Sequence, residues 1–545
     1  MSPIRIELYD STLRDGAQTE GVTFSLNDKL VATSRLDDLG IDYVEGGYPA
    51  SNEKDKSYFE QIGKTRLQSA QVCAFGMTRR KGMRTDQDAG LGALVGSSAP
   101  ILTIVGKSSL FQAREALCVT PEENLAMIEE TIRFAVESGK RVFYDAEHFF
   151  DGWKDNAEYA LETLRAAFKA GAGTITLCDT NGGSTPEEVS EGVKQALSAL
   201  NEIAQSTGVS PKLGIHAHND CGLAVANSLA AVDAGATLVQ GTMNGLGERC
   251  GNADLLVVAA NLALKKGGRY DLLRPHSIER LTEFSRFFYE LTNVNPNIRQ
   301  PFVGKSAFAH KGGMHVSGIN RCTASYEHID PSVVGNERRI LVSELSGKSN
   351  ILACAKKYHL EDQGALDSDT IKKILDAVSA KESQGYQYEA ADGSFKLLVR
   401  KIKGEFRPSF KRINYQTSVV VTVVNESLTT NSTVATVKLS VGRRGEIRHV
   451  VAEGDGPVDA LNNALRKALQ PIYPELDEMK LIDYKVRVLN SDAATAATTR
   501  VIIESKDSEE RWGTVGVSEN VVEASWIALC DSIEYKLSKV LMDKD

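Results

Sequence analysis

The chain has 545 residues, 42% of them hydrophobic and 25% charged, with a formal net charge of −9. This length predicts about two to four domains with room for large cores. The charge is spread without a basic block, which excludes nucleic acid as a partner, and the longest apolar stretch (255–264, broken by Asn261) is too short to cross a bilayer.

The N-terminus enters a strand-like segment at once, with no charged and apolar leader before it. The eight cysteines are dispersed and none forms a CxxC pair. That spacing argues against a zinc knuckle or disulfide scaffold and predicts a reducing, cytoplasmic setting.

Through residue 270, strand-like and helix-like segments alternate. Strands are predicted at 4–9, 43–46, 70–75, 101–105, 141–145, 174–178, 212–217 and 237–240. Helices with i, i+3, i+4 apolar spacing are predicted at 27–39, 121–138, 156–170, 186–204 and 222–234. Gly40, Gly139, Gly171 and Gly235 follow helix ends, where a left-handed residue is wanted. Eight strands with helical crossovers predict an α/β fold, a (β/α)8 barrel over 1–270; an open doubly wound sheet is the rival. The barrel is favoured because Asp15, Glu147, Thr180 and His216 all fall at or just after strand C-termini, where barrels build their sites.

Residues 271–410 read as a helical linker region, with helices at 278–292 and 370–383, that packs near the barrel mouth. From 411 to 545 the order strand, strand, strand, helix occurs twice, and Gly456-Pro457-Val458-Asp459-Ala460 matches Asn520-Val521-Val522-Glu523-Ala524 at the helix starts. This duplication predicts a C-terminal α+β regulatory domain suited to dimerisation and small-effector binding.

Chemistry concentrates in two strings. In Gly214-Ile215-His216-Ala217-His218-Asn219-Asp220, alternation puts both imidazoles on one face of a strand end. Asp15, from Thr12-Leu13-Arg14-Asp15-Gly16, adds a carboxylate, and Asn252 in the glycine-rich loop 245–253 offers an oxygen. Two histidines and a carboxylate make a divalent-metal site with open positions. A lone His-x-His is more often a pair of hydrogen-bonded core histidines, and an Arg-Asp pair is more often solvated; strand-end placement favours the site. Arg14 brings a permanent, forked charge beside it. Asp145 and Glu147 share one face of their strand extension. A carboxylate there acts as a base or holds one. His310, His315, Tyr326 and His328 lie in two further polar segments that composition does not rank.

Asp10-Ser11-Thr12-Leu13-Arg14-Asp15-Gly16, His216-Ala217-His218-Asn219-Asp220 and Gly247-Glu248-Arg249-x-Gly251-Asn252 together resemble the acyl-CoA-dependent metal-barrel family. That family includes isopropylmalate, homocitrate and citramalate synthases and the 3-hydroxy-3-methylglutaryl-CoA lyases. The resemblance runs the whole length, and the duplicated unit resembles the family's allosteric dimer domain. Lyases lack that domain and carry a cysteine-bearing Pro-Gly loop absent from this chain.

The resemblance implies Asp15, His216 and His218 as metal ligands (Mg2+ or Mn2+, with Zn2+ possible), and Asn252 as a further ligand or a residue behind them. It implies Arg14 at the enolate or keto oxygen, Glu147 and His315 in catalysis, Thr180 at the substrate carboxylate and Tyr326 reaching in from the linker. It further implies Claisen condensation of acetyl-CoA with a 2-oxo acid. In the branch most resembled that acid is pyruvate, and the product feeds isoleucine synthesis. A homodimer bound by an amino-acid effector such as isoleucine completes the picture. Ala17 stands where isopropylmalate synthases usually carry glutamate, and Asp145 lies where branches differ near the side chain of the 2-oxo acid. The alternatives are a sibling synthase using 2-oxoisovalerate or 2-oxoglutarate, a two-histidine-one-carboxylate oxygenase, and a non-catalytic effector-binding scaffold.

Overall fold

The computed structural model describes residues 2–341, 367–388, 390–425, 428–442, 445–489 and 497–542. Cys354 and His359 lie outside the described residues. The chain divides into two units. The first comprises residues 1–308 and 330–337, the second 309–329 and 338–545.

In the first unit eight parallel strands close into a barrel: β1 (Glu7–Asp10), β2 (Tyr43–Gly47), β3 (Gln71–Met77), β4 (Ile101–Lys107), β5 (Arg141–Glu147), β6 (Thr174–Asp179), β7 (Leu213–Ala217) and β8 (Leu238–Gly241). β8 returns to pair with β1, with Leu8 opposite Val239, which closes the ring. The segment expected as one strand over 4–9 is two. Ile4–Arg5 pairs with Tyr270–Asp271 outside the barrel, and only Glu7–Asp10 enters it.

The helices begin and end where side chains can satisfy their free backbone groups. α1 (Leu26–Leu39) opens on a capping box between Ser25 and Asp28 and closes on Gly40 at φ +92°. Thr185 and Glu188 form the same box, with Pro186 in the first turn, on the helix Pro186–Thr207. Three short helices, Glu53–Ile62, Ala89–Val95 and Phe149–Asp155, were not legible from apolar spacing. Tyr9, Tyr43, Cys73, Ile101, Phe143 and Leu238 pack together inside the barrel. Its interior is therefore filled rather than open, and substrate can meet only the C-terminal mouth.

The second unit repeats one motif. Strands Phe410–Asn425, Leu428–Val441 and Glu446–Gly454 form an antiparallel sheet followed by the helix Pro457–Leu469. Strands Lys480–Val488, Thr499–Lys506 and Arg511–Ser518 form another, followed by Val521–Met542. One hydrophobic core joins the repeats, with Val437, Leu465, Val501, Trp512 and Ile533 buried in it. The helix Asp392–Lys403 contributes Leu397 to this core. Val419, Ile447, Val451, Val486 and Val488 stay exposed on the strands.

No helix among the described residues is long and apolar enough to cross a membrane. The seven described cysteines are all free.

Candidate active site and metal centre

The mouth of the barrel holds a cleft of about 540 Å3. Arg14, Asp15, Asp145, Glu147, Thr180, His216 and His218 all line it. His216 is the penultimate residue of β7 and His218 follows the strand, so alternation turns both imidazoles toward one point. Their Nε2 atoms lie 3.4 Å apart, and an oxygen of Asp15 lies 3.3 Å from Nε2 of His216. One donor atom from each of the three fits within 4.8 Å of the others. Donors about 2.0–2.2 Å from a shared ion stand roughly 3–3.5 Å apart, so this spacing suits a divalent cation.

Asp15 is carried by a tight turn in which the backbone N–H groups of Arg14, Asp15 and Gly16 all donate to the Ser11 carbonyl. Asn252 is brought in by the glycine loop. Ala253 N–H donates to Ala217 O, and Asn219 N–H to Gly251 O, so the loop is laced to the end of β7. Gly251 sits at φ +86°, and a Cβ there would lie 2.0 Å from the Gly245 carbonyl oxygen. No other residue fits that turn without moving the loop. The Asn252 amide donates to Leu246 O at 3.0 Å, while its Oδ1 is buried with no partner. His218 Nδ1 is likewise buried and unpartnered. A buried oxygen left orphaned is costly, and a cation held at the facing Nε2 atoms and Asp15 would relieve that of Asn252. The donor set therefore fits a divalent ion.

The charges are arranged to match. Burial works against the Asp15 carboxylate, yet the Arg14 guanidinium and His216 hold it well below its ordinary range. Burial also opposes charge on His216, but the hydrogen bond to Asp15 raises it above its usual value. Burial and the charge of His216 pull His218 down to about 4. Asp145 is pushed up to about 6 by burial, with Glu45 adding to the rise.

Arg14 is fixed on three sides. Its Nε donates to Glu45 at 2.7 Å, Nη1 lies 3.6 Å from Asp15, and the guanidinium covers the Phe75 ring at 4.1 Å. Glu147 is paired with Lys107 at 2.5 Å, because the two face each other in the β4–β5 register. The Thr180 hydroxyl accepts the His148 N–H at 2.8 Å, and the Thr180 carbonyl accepts Arg249, which also forks onto Asp220. His148 itself stands at φ +58°, a strained backbone next to the site.

His315 and Tyr326 belong to the second unit, where their rings stack at 4.2 Å. His310 and Arg338 both bond Glu327 in the same unit.

Glu45, Lys107, Gln240 and Arg249 are site residues that sequence reasoning missed. Their one signal was a lone polar side chain near the end of an otherwise apolar strand, or in the glycine loop after it.

A closed parallel barrel with a His/His/Asp cluster able to hold a metal ion and a half-buried arginine at its mouth defines a barrel equipped to polarise a carbonyl. Residues 5–287 match the HMGL-like family, residues 302–385 the homocitrate synthase post-HMGL domain, and residues 389–537 the LeuA allosteric (dimerisation) domain. The chain belongs to the HMGL-like family. It is 47% identical over 537 residues to the (R)-citramalate synthase of Geobacter sulfurreducens, covering 98% of each. It is 46% identical over 535 residues to the (R)-citramalate synthase of Aquifex aeolicus, again covering 98% of each. It is 30% identical over 537 residues to the 2-isopropylmalate synthase of Methanocaldococcus jannaschii, covering 98% of this chain and 96% of that one.

Proposed function

We propose that this protein is an acyltransferase that condenses acetyl-CoA with pyruvate and water to give (R)-citramalate and CoA. The observation that carries the reading is the convergence of Asp15, His216 and His218 beside Arg14, in a chain 47% identical to an (R)-citramalate synthase over nearly its full length. The weaker, 30% likeness to an isopropylmalate synthase keeps a sibling 2-oxo acid as the second reading.

Asp15, His216 and His218 hold the ion, with Asn252 as a further oxygen donor. Magnesium or manganese fits the open, mixed donor set, and the imidazoles also admit zinc. When bound, the ion supplies Lewis-acid polarisation of the keto carbonyl. Arg14, clamped by Glu45, presents a fixed positive charge where negative charge develops on oxygen, so no reorganisation is needed at the moment of reaction. The Thr180 hydroxyl uses a lone pair on His148 N–H and keeps its own hydrogen to donate to the 2-oxo acid carboxylate. Asp145 contributes to the wall near the side chain of the 2-oxo acid. Proton transfer at the acetyl methyl group falls to Glu147, held by Lys107; His315, stacked on Tyr326 within the second unit, is the other catalytic candidate. The exposed valines and isoleucine of the second unit are a surface for a second copy of the chain, and this unit takes an amino-acid effector such as isoleucine. The seven described cysteines are free, which supports a reducing, cytoplasmic setting.

The test is a panel of pyruvate, 2-oxoisovalerate and 2-oxoglutarate with acetyl-CoA and divalent metal, read by thiol release. Pyruvate should give the highest kcat/KM. A higher value with either larger acid overturns the substrate assignment.

A further inference from the structure

Behind His216 lies a side chain for which the metal and substrate chemistry leaves no direct role. Gln240, on β8, is fully buried and pairs in register with His216 on β7. Its Oε1 lies 2.9 Å from Nδ1 of His216. Its Nε2 donates to Asp145 at 2.8 Å and to the Thr176 hydroxyl at 3.1 Å. The amide therefore spans the barrel interior from β8 to β5, and all its partners are buried.

The direction of this chain of bonds follows from what each group can do. A carboxylate accepts only, so Asp145 fixes which end of the amide is the NH2. Oε1 then faces His216, and an amide oxygen cannot donate. The proton of neutral His216 must sit on Nδ1, which leaves the Nε2 lone pair toward Asp15 and His218. Reversing the amide would turn NH2 toward Nδ1, move the imidazole proton to Nε2 and cover the donor atom.

We propose that Gln240, oriented by Asp145, is a positioning residue that locks His216 in the Nδ1–H tautomer and so presents Nε2 to the metal. This rests on the metal site argued above. It gives Asp145 a second task, since one carboxylate oxygen is committed to the amide rather than to substrate.

The test uses Mn2+ as the probe, titrated into the full-length protein and followed by electron paramagnetic resonance. Histidine-selective 15N NMR of the metal-free protein reads the tautomer. Gln240→Leu should weaken Mn2+ binding by roughly 10- to 100-fold, the range seen when a group behind a ligating histidine is lost, and should let His216 populate both tautomers. Because Q240L strands buried partners, a second pair guards against simple misfolding. Asp145→Asn frees the amide to reverse and should weaken Mn2+. Adding Gln240→Glu to it should restore affinity, because the carboxylate then on β8 accepts both from the amide introduced on β5 and from His216.

Wild-type affinity and tautomer in Q240L, or a double variant that binds no tighter than D145N, would overturn the inference. Failure of the wild-type protein to bind Mn2+ would instead sink the metal site itself, so the two failures are distinguishable.

Discussion

Arg14→Lys is the sharpest probe of the site because it keeps the charge and removes only the geometry. Lysine has no planar fork, so it cannot bond Glu45 while lying flat on Phe75 and reaching past Asp15. Glu45 is fully buried and would keep the Tyr9 hydroxyl as a donor at 2.9 Å. A hydrogen bond to a charged group contributes about 1.5–3 kcal/mol, and the cation–π contact about 0.5–2 kcal/mol. The ammonium recovers part of this, so the barrel should lose about 2 kcal/mol of stability in urea unfolding. The catalytic loss should be larger. Removing one preorganised donor from a developing oxyanion costs about 2.7–4 kcal/mol, or roughly 10²- to 10³-fold in kcat. Thiol release at saturating acetyl-CoA and pyruvate measures kcat, and Mn2+ titration checks the metal site, which should bind within about threefold of wild type because Arg14 is not a ligand. A kcat close to the wild-type value would refute the role given to Arg14. A kcat loss traced wholly to weaker metal binding would refute the division of labour between Arg14 and the ligands.

His216→Ala should abolish Mn2+ binding and thiol release while leaving the far-UV circular dichroism unchanged; retention of either property contradicts the site. His216 is raised and His218 lowered to about 4, so near pH 6.5 metal binding should displace about one proton rather than two, and affinity should fall as acid protonates His216. Calorimetry in buffers of different ionisation enthalpy counts the protons, and a count of two speaks against the depressed His218. Burial opposes the charge of Asp507, but the N–H groups of Glu510 and Glu509 and the Lys536 ammonium hold it below the carboxylate range. Its stabilisation is present above its unfolded value and disappears as pH falls through the folded one. Asp507→Asn should therefore be less stable than wild type at pH 7, with the gap closing in acid; a gap unchanged by acid rejects the assignment. Trp512 is 1% exposed and donates to the Ser532 hydroxyl at 3.0 Å, so Trp512→Ala should cost about 3–5 kcal/mol in denaturant unfolding, and a loss under 1 kcal/mol would show that the shared core tolerates the cavity.

Most of the architecture was legible along the chain. The barrel strands are short apolar runs closed by turn residues, and the glycines after helices mark where left-handed backbone is needed, as at Gly40 and Gly235. The split of the first strand was not legible, because Ile4–Arg5 and Glu7–Asp10 are adjacent and similar in character and differ in their partners. The short helices were missed because a run of 7 to 10 residues shows too few turns for a period to emerge.

The sequence alone determined the chemistry of the site's parts: two imidazoles in phase on one strand end, a carboxylate beside an arginine in a turn, and a repeat with matching helix starts. These are local facts, set by alternation and turn geometry within a few residues. Only the tertiary structure decided which distant groups meet. Glu45 holds Arg14, Lys107 holds Glu147, and Gln240 bridges Asp145 to His216, because closing the barrel places the end of one strand beside its neighbour or across from another. Side chains at a strand end are a few ångströms apart in space while tens of residues apart in sequence, and no pattern along the chain encodes that distance.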